Sequence, residues 1–313
     1  MKTGRIKEYG KWYYLASAVV KTGWYCISSS WYYLYTSGVI QIGWHNIGDD
    51  TYFFANSGEN QNINRRALVL GETSTPAVPI ADVNAMEKVF SNQNFSEVVR
   101  FPDRTKSDII AKMQELFESS SESDVNYLYF TCHGGRDGRI YIGSDGLAFS
   151  GWELASILKQ YNGKFVVMLD CCYSGTIINA GKSDEKAVSK SEEVFDEQEF
   201  LTGFSTGDIA SKNGEMLDSK FLVLCASWQE EESYSTYGGG SLATRYWAMG
   251  TGWNPLQNIK ISPVADVNNN GRVTLDELYQ YSYSQVLEVI SRSNKQQHVA
   301  VYPENSQFVL FQK

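Results

Sequence analysis

Four stretches of the chain run apolar without interruption and then stop at polar residues: Arg66 to Gly71, Asn126 to Thr131, Phe165 to Asp170 and Lys220 to Ser227. The absence of polar alternation predicts strands buried on both faces of a largely parallel sheet. Segments between them keep a helical spacing instead. Ile80, Val83, Met86, Val89 and Phe90 fall on one face, and so do Ile109, Ile110, Met113, Leu116 and Phe117. Further helices are predicted over 152–161, 241–249, with Ser241 as its cap, and 278–291. Strand and helix thus alternate from residue 66 onward, which predicts an α/β domain, a mostly parallel sheet flanked by helices. A hairpin of 139–142 with 147–149 around Gly143-Ser-Asp-Gly146, and an edge hairpin over 298–311, complete the expected elements.

Residues 1–58 follow another pattern. Trp12-Tyr-Tyr-Leu15, Trp31-Tyr-Tyr-Leu34 and Thr51-Tyr-Phe-Phe54 recur at nearly constant spacing, with Gly23-Trp24 and Gly43-Trp44 between them and Gly38 and Gly58 closing each unit. Each unit predicts a short aromatic-rich hairpin. Hairpins this small cannot bury their own rings, so the units must stack. The stretch resembles the choline-binding and glucan-binding repeats of bacterial cell-surface proteins. That resemblance implies a cage of Trp24, Trp31, Trp44 and Tyr52 for a quaternary ammonium group, held by the negative faces of the rings. Rings that only cement the stack are the alternative. Cell-wall choline or glycan is the implied partner and an extracellular or cell-surface location is implied with it. Residues 59–65 are polar and read as a linker between the all-β repeat domain, 1–58, and the larger domain, 66–313.

The chemistry lies where the central runs end. Functional residues of parallel sheets sit just past the carboxyl ends of the strands. After Leu169 come Asp170, Cys171, Cys172 and a Ser-Gly turn, and after Thr131 come Cys132, His133, Gly134 and Gly135. A thiol is a weak nucleophile until a base takes its proton, and histidine does so near neutral pH. Glycines after His133 let a substrate backbone approach and leave an amide N–H free for an oxyanion. A phosphatase loop is disfavoured, because it needs Cys-x5-Arg and the arginines after Cys132 fall at 136 and 139.

His-Gly after one strand and Asp-x-Cys-x-Ser-Gly after the next resemble the caspase and metacaspase cysteine peptidases, of the caspase-haemoglobinase fold. The resemblance runs from about Arg65 to the C-terminus and makes Cys172 the nucleophile, His133 its base, and the N–H groups of Gly134 and Cys172 the oxyanion holders. Metacaspases usually carry His where this chain has Tyr173. Ala81-Asp82-Val83 is similar to their Asn-Asp-Val stretch, whose aspartate lines the pocket for the substrate's P1 side chain. With Asp170 it would accept Arg or Lys at P1. Asp82 could equally serve a helix N-terminus, and Asp170 could be a structural acid. From Thr176 to Ser219 the chain is polar and aperiodic, where caspase relatives carry activating cleavage sites. Lys182, Lys186 and Lys190 are the candidate self-cleavage positions. The implied function is a secreted or surface cysteine endopeptidase acting on protein or peptide. A catalytically silent surface-binding protein on the same scaffold is the alternative.

Asp266-Val-Asn-Asn-Asn-Gly-Arg-Val-Thr-Leu-Asp-Glu277 matches the twelve-residue EF-hand loop at every ligand position. Asp266, Asn268 and Asn270 would bind calcium through side chains, Arg272 through its carbonyl, Thr274 directly or through water, and Glu277 with both oxygens. Only two of these side chains are charged, so the affinity fits extracellular calcium. No organic cofactor is expected. A net charge of −9 over 313 residues argues against nucleic acid as the main partner. No apolar run is long enough to span a membrane, and no export signal is present in this chain. The five cysteines are odd in number and sit mostly on core strands, which predicts free thiols.

Overall fold

The computed structural model describes residues 3–73, 80–178, 219–236 and 240–312, and Lys182, Lys186 and Lys190 lie outside the described residues. The chain divides into two compact units, Met1–Asn64 and Arg65–Lys313. Among the described residues no helix is long and apolar enough to cross a membrane, and all five cysteines are free thiols.

The first unit consists of three antiparallel hairpins, Gly4–Glu8 with Lys11–Ala16, Gly23–Ile27 with Ser30–Leu34, and Gly43–Ile47 with Asp50–Phe54. Alternation gives each hairpin two ring-bearing faces. One face of the second packs Tyr25, Tyr32, Leu34 and Ile27 with Ile40 and Tyr14 of the first. Its other face turns Trp24 to the third hairpin, with ring centroids 4.8 Å from Tyr52 and 5.7 Å from Phe54. Part of the expected linker is not a linker. Asn60–Gln61 forms a strand on Phe53–Phe54, because the turn at Gly58 returns the chain along that edge.

In the second unit six strands form one sheet: β1 Arg65–Gly71, β2 Glu97–Arg100, β3 Val125–Thr131, β4 Lys164–Asp170, β5 Phe221–Cys225 and β6 Ala300–Tyr302. The order is β2-β1-β3-β4-β5-β6, parallel except for β6. Every residue of β3, β4 and β5 is buried, and each fully buried Val, Leu or Phe contributes roughly 1.5–3 kcal/mol. Helices α2, Lys106–Phe117, and α3, Gly151–Leu158, cover one face through Met113, Phe117, Leu154 and Leu158. On the other face lie α1, Ile80–Ser91, α4, Leu242–Gly250, and α5, Leu275–Ile290. There Phe90 of α1 meets Tyr127, and the Tyr129 hydroxyl meets Thr244 of α4.

Three expected elements differ. The hairpin of 139–142 with 147–149 reduces to a bridge between Ile140 and Phe149, and Ile140–Tyr141 pairs instead with His133–Gly134. The edge hairpin over 298–311 is absent. Its first half is β6, whereas Val309–Gln312 pairs with Arg272–Thr274, drawn there by Phe311 packing on Phe90 and Tyr127. The third difference, the cap of α4, belongs to the site.

Candidate active site

Thr131 of β3 and Asp170 of β4 are register partners at the carboxyl edge of the sheet, and the Cys132 N–H still donates to the Asp170 carbonyl at 3.2 Å. His133 and Cys172 therefore leave adjacent central strands within two residues of their last pair. The backbone at Gly134 lies so close to Cys172 that a Cβ there would stand 1.8 Å from the Cys172 carbonyl oxygen. Only glycine fits. Past Cys172, Tyr173 takes φ 58, a left-handed turn that a non-glycine residue adopts at some cost, and its N–H donates to the Glu231 carbonyl at 2.7 Å.

Alternation along β4, continued past Asp170, turns the two cysteines to different sides. Leu169 and Cys171 point into the core under α2 and α3, and Cys171 is 3% exposed. Cys172 is half-buried and His133 exposed, and both line a cavity of about 170 Å³ with Asp82, Asp170 and Ser233, which the buried Cys171 also borders. The Ser233 N–H donates to Cys172 Sγ at 3.4 Å. Burial pushes the Cys172 thiol up, and that N–H pulls it partly back. A thiol so held needs a base to ionise near neutral pH.

Two carboxyl groups form the floor. Asp170 Oδ1 accepts from Ser233 Oγ at 2.9 Å, and Oδ2 accepts from Thr244 N–H at 3.0 Å and from Thr244 Oγ1 at 2.5 Å. Thr244 is the third residue of α4, so Asp170 caps this helix. Ser241 occupies the N-cap position without a side-chain cap bond, because a carboxylate from β4 already meets the helix terminus. Asp82, in the first turn of α1, accepts the Ser241 N–H with both oxygens, at 3.0 and 3.2 Å. Gly240, at φ +71, passes so close that a Cβ would lie 2.2 Å from Asp82 Oδ1. Burial pushes Asp82 well above the usual carboxylate range, and the charge of Asp170 pushes it further. Burial raises Asp170 as well. A pocket with two such acids is complementary to a cation.

Ser233 and Thr244 are the groups that the sequence does not single out, and Ser241 is expected there only as a helix cap. Their one signal is position, since 228–244 follows the strand that neighbours β4.

Of the four expected cage residues the structure brings three together. Trp24 lies 6.4 Å from Trp31 and 4.8 Å from Tyr52 in edge contacts. Trp44 pairs across its hairpin with Phe53, on the opposite face from Tyr52, and is buried. In the 266–277 loop both Asp266 oxygens accept backbone N–H groups of Asn270 and Gly271, at 3.0 Å each. Asn268 Nδ2 reaches Glu277 Oε1 at 3.0 Å, so the third and twelfth positions already meet. Glu277 Oε2 accepts the Thr274 N–H at 2.9 Å in the capping box of α5.

Comparison with known proteins bears on both units. The family model of the caspase domain matches residues 64–247, and that of a cell wall binding repeat matches 22–40 and 42–59. Choline binding protein F from Streptococcus pneumoniae is 37% identical over 20% of this chain and 22% of its own, with a TM-score of 0.19. A choline binding domain from the same organism is 33% identical over 20% of this chain and 97% of its own, also at 0.19. Caspase-1 from Spodoptera frugiperda is 10% identical over 79% of this chain and 88% of its own, with a TM-score of 0.47. The chain spans only about a fifth of the length of the choline binding protein F chain that it matches. None of the curated proteins compared with it matches. Through the caspase domain that fills most of its second unit, this chain belongs to the caspase family of peptidases.

Proposed function

We propose that this chain is a cysteine endopeptidase that cuts after Arg or Lys and is held at a bacterial surface by its hairpin repeats. The observation that carries the proposal is the division of labour between adjacent cysteines. Cys172 is half-buried and opens on the cavity shared with His133, Asp82 and Asp170, whereas Cys171 borders the same cavity but is only 3% exposed and packs into the core. In the reaction His133 takes the Cys172 proton and the thiolate attacks the scissile carbonyl carbon. The N–H groups of Gly134 and Cys172 hold the oxyanion. Collapse expels the amine, which takes the proton from His133, and water then hydrolyses the acyl-enzyme by the same base. Asp82 and Asp170 pair with the guanidinium or ammonium of the P1 side chain.

The repeats supply the address. Trp24, Trp31 and Tyr52 present ring faces to a quaternary ammonium group such as wall choline. Lys182, Lys186 and Lys190 are the self-cleavage candidates in this reading. Asp266, Asn268, Asn270, Thr274 and Glu277, with the Arg272 carbonyl, would hold calcium, and the fit is favourable because Asn268 and Glu277 already converge. The ion would supply charge that ties the loop to the start of α5.

Incubating the full chain with a mixed peptide library, with and without calcium, tests the reading. Mass spectrometry should find new termini after Arg and Lys, absent with Cys172→Ala. Termini after acidic residues, or the same fragments from both proteins, would overturn it.

A further inference from the structure

Arg5 holds, in the first hairpin, the place that Trp24 and Trp44 hold in the second and third. Each follows the glycine that opens its hairpin, and cross-strand pairing gives the same register: Arg5 with Tyr14, Trp24 with Tyr33, Trp44 with Phe53. Trp12 pairs with Lys7 as Trp31 pairs with Cys26. Alternation therefore points Arg5 and Trp12 at the second hairpin just as it points Trp24 and Trp31 at the third.

The two junctions then diverge. At the second, Trp24 stands 4.8 Å from the Tyr52 ring, Tyr52 is half-buried, and Trp24 and Trp31 remain 37% and 52% exposed. At the first, the Arg5 guanidinium lies 4.6 Å from the ring centroid of Tyr32, the residue equivalent to Tyr52. Lys7 Nζ lies 5.5 Å from the Trp12 ring. Tyr32 is only 3% exposed, and its hydroxyl donates to Glu59 at 2.8 Å.

We propose that the first junction is a ring cage of the same design, filled from within by the Arg5 guanidinium, so that the chain takes a single quaternary ammonium group, at the second junction. A guanidinium is drawn to a ring face by the same quadrupole that draws a quaternary ammonium. Being tethered, it competes at an effective concentration on the order of millimolar or more. Substitution of the tryptophan by arginine also removes one wall of the cage, so an incoming ligand would lose contact as well as face competition. The inference rests on the cage reading of Trp24, Trp31 and Tyr52, and the experiment separates the two.

Choline chloride is titrated into the full chain, wild type and Arg5→Trp, by calorimetry, and the tryptophan indole N–H signals are followed by NMR. Wild type should bind one choline, with the Trp24 and Trp31 signals moving and the Trp12 signal still. Arg5→Trp, which restores the third wall, should bind one more than wild type and move Trp12. If the variant folds and gains no site, the inference fails, whatever the wild-type count. If the variant does not fold, the wild-type spectrum decides: a Trp12 shift as large as that of Trp31 overturns the inference, and a still Trp12 beside a moving Trp31 supports it. A wild type that binds nothing while Arg5→Trp binds one would sink the cage at the second junction and uphold the self-filled first.

Discussion

Asp170→Asn removes one of the two buried carboxylates and keeps its shape. An amide with its oxygen toward Thr244 retains both bonds from that residue, and its NH₂ meets Ser233 Oγ, which rotates to accept. Three charge-assisted bonds become neutral, a loss of about 1 kcal/mol each. Relief from a second buried charge beside Asp82 offsets part of that. Stability should fall by about 1 kcal/mol, a shift in Tm of only a few degrees.

The effect on a basic substrate is larger. Removing one partner of a desolvated charge contact costs about 2–5 kcal/mol, which at about 1.4 kcal/mol per decade is roughly 30-fold to several thousand-fold in kcat/KM. Two fluorogenic peptides, with Arg or its uncharged isostere citrulline at P1, isolate the charge. Their kcat/KM ratio should collapse by at least about 30-fold, with the citrulline peptide nearly unaffected. The pH profile adds a check of sign. Burial, and then the charge of Asp170, holds Asp82 above the carboxylate range, so Asp82 gains its charge as pH rises and kcat/KM for Arg rises with it. In Asp170→Asn that rise should come at lower pH. Stability runs the other way. The contribution of a raised carboxyl is complete below its unfolded pKa and lost as pH rises through the folded one, and the variant should lose less. An unchanged Arg-to-citrulline ratio in a folded variant would refute the two-acid pocket.

Other substitutions separate neighbouring roles. Cys172→Ala should abolish turnover, whereas Cys171→Ala should keep activity within about tenfold and cost about 1 kcal/mol of stability, that of a small buried group; denaturation and peptide hydrolysis measured together check both. Calcium at about a hundredfold over its Kd should stabilise the chain by about 2.7 kcal/mol, and Glu277→Gln should remove that thermal shift; an unchanged shift would place the ion elsewhere. On a quaternary-ammonium matrix Trp31→Ala should weaken retention by about 2- to 30-fold, the range of one ring–cation contact. Trp44→Ala should leave retention within about twofold, because Trp44 lies on the face away from Tyr52.

The doubly buried strands were plain in the sequence because burial on both faces leaves no polar position to break the run, as in β3, β4 and β5. Their ends also located His133 and Cys172, since strand ends in parallel sheets gather at one edge. β2 escaped notice: Glu97–Arg100 is a four-residue edge strand with two polar ends, too short for either period. The cap of α4 was misread because a local rule assigns it to Ser241, whereas the group that meets the helix terminus arrives from Asp170, 74 positions from Thr244. Ser233 was hidden for a related reason. An acidic loop without periodicity says nothing about which amide will face a sulfur. In the repeats, the resemblance to choline-binding repeats grouped Trp24, Trp31, Trp44 and Tyr52, but the two-residue period of a strand sends Trp44 and Tyr52 to opposite faces.

Labelling of Cys172 tests the central claim most directly. The full chain is treated with a peptidyl-arginine acyloxymethyl ketone, which alkylates a thiolate positioned for attack, and the adduct is mapped by peptide mass spectrometry. One adduct per chain on Cys172 is predicted, absent when His133→Ala removes the base and outcompeted by an Arg peptide. An adduct on Cys171, or peptide turnover that continues with Cys172 unlabelled, would contradict it.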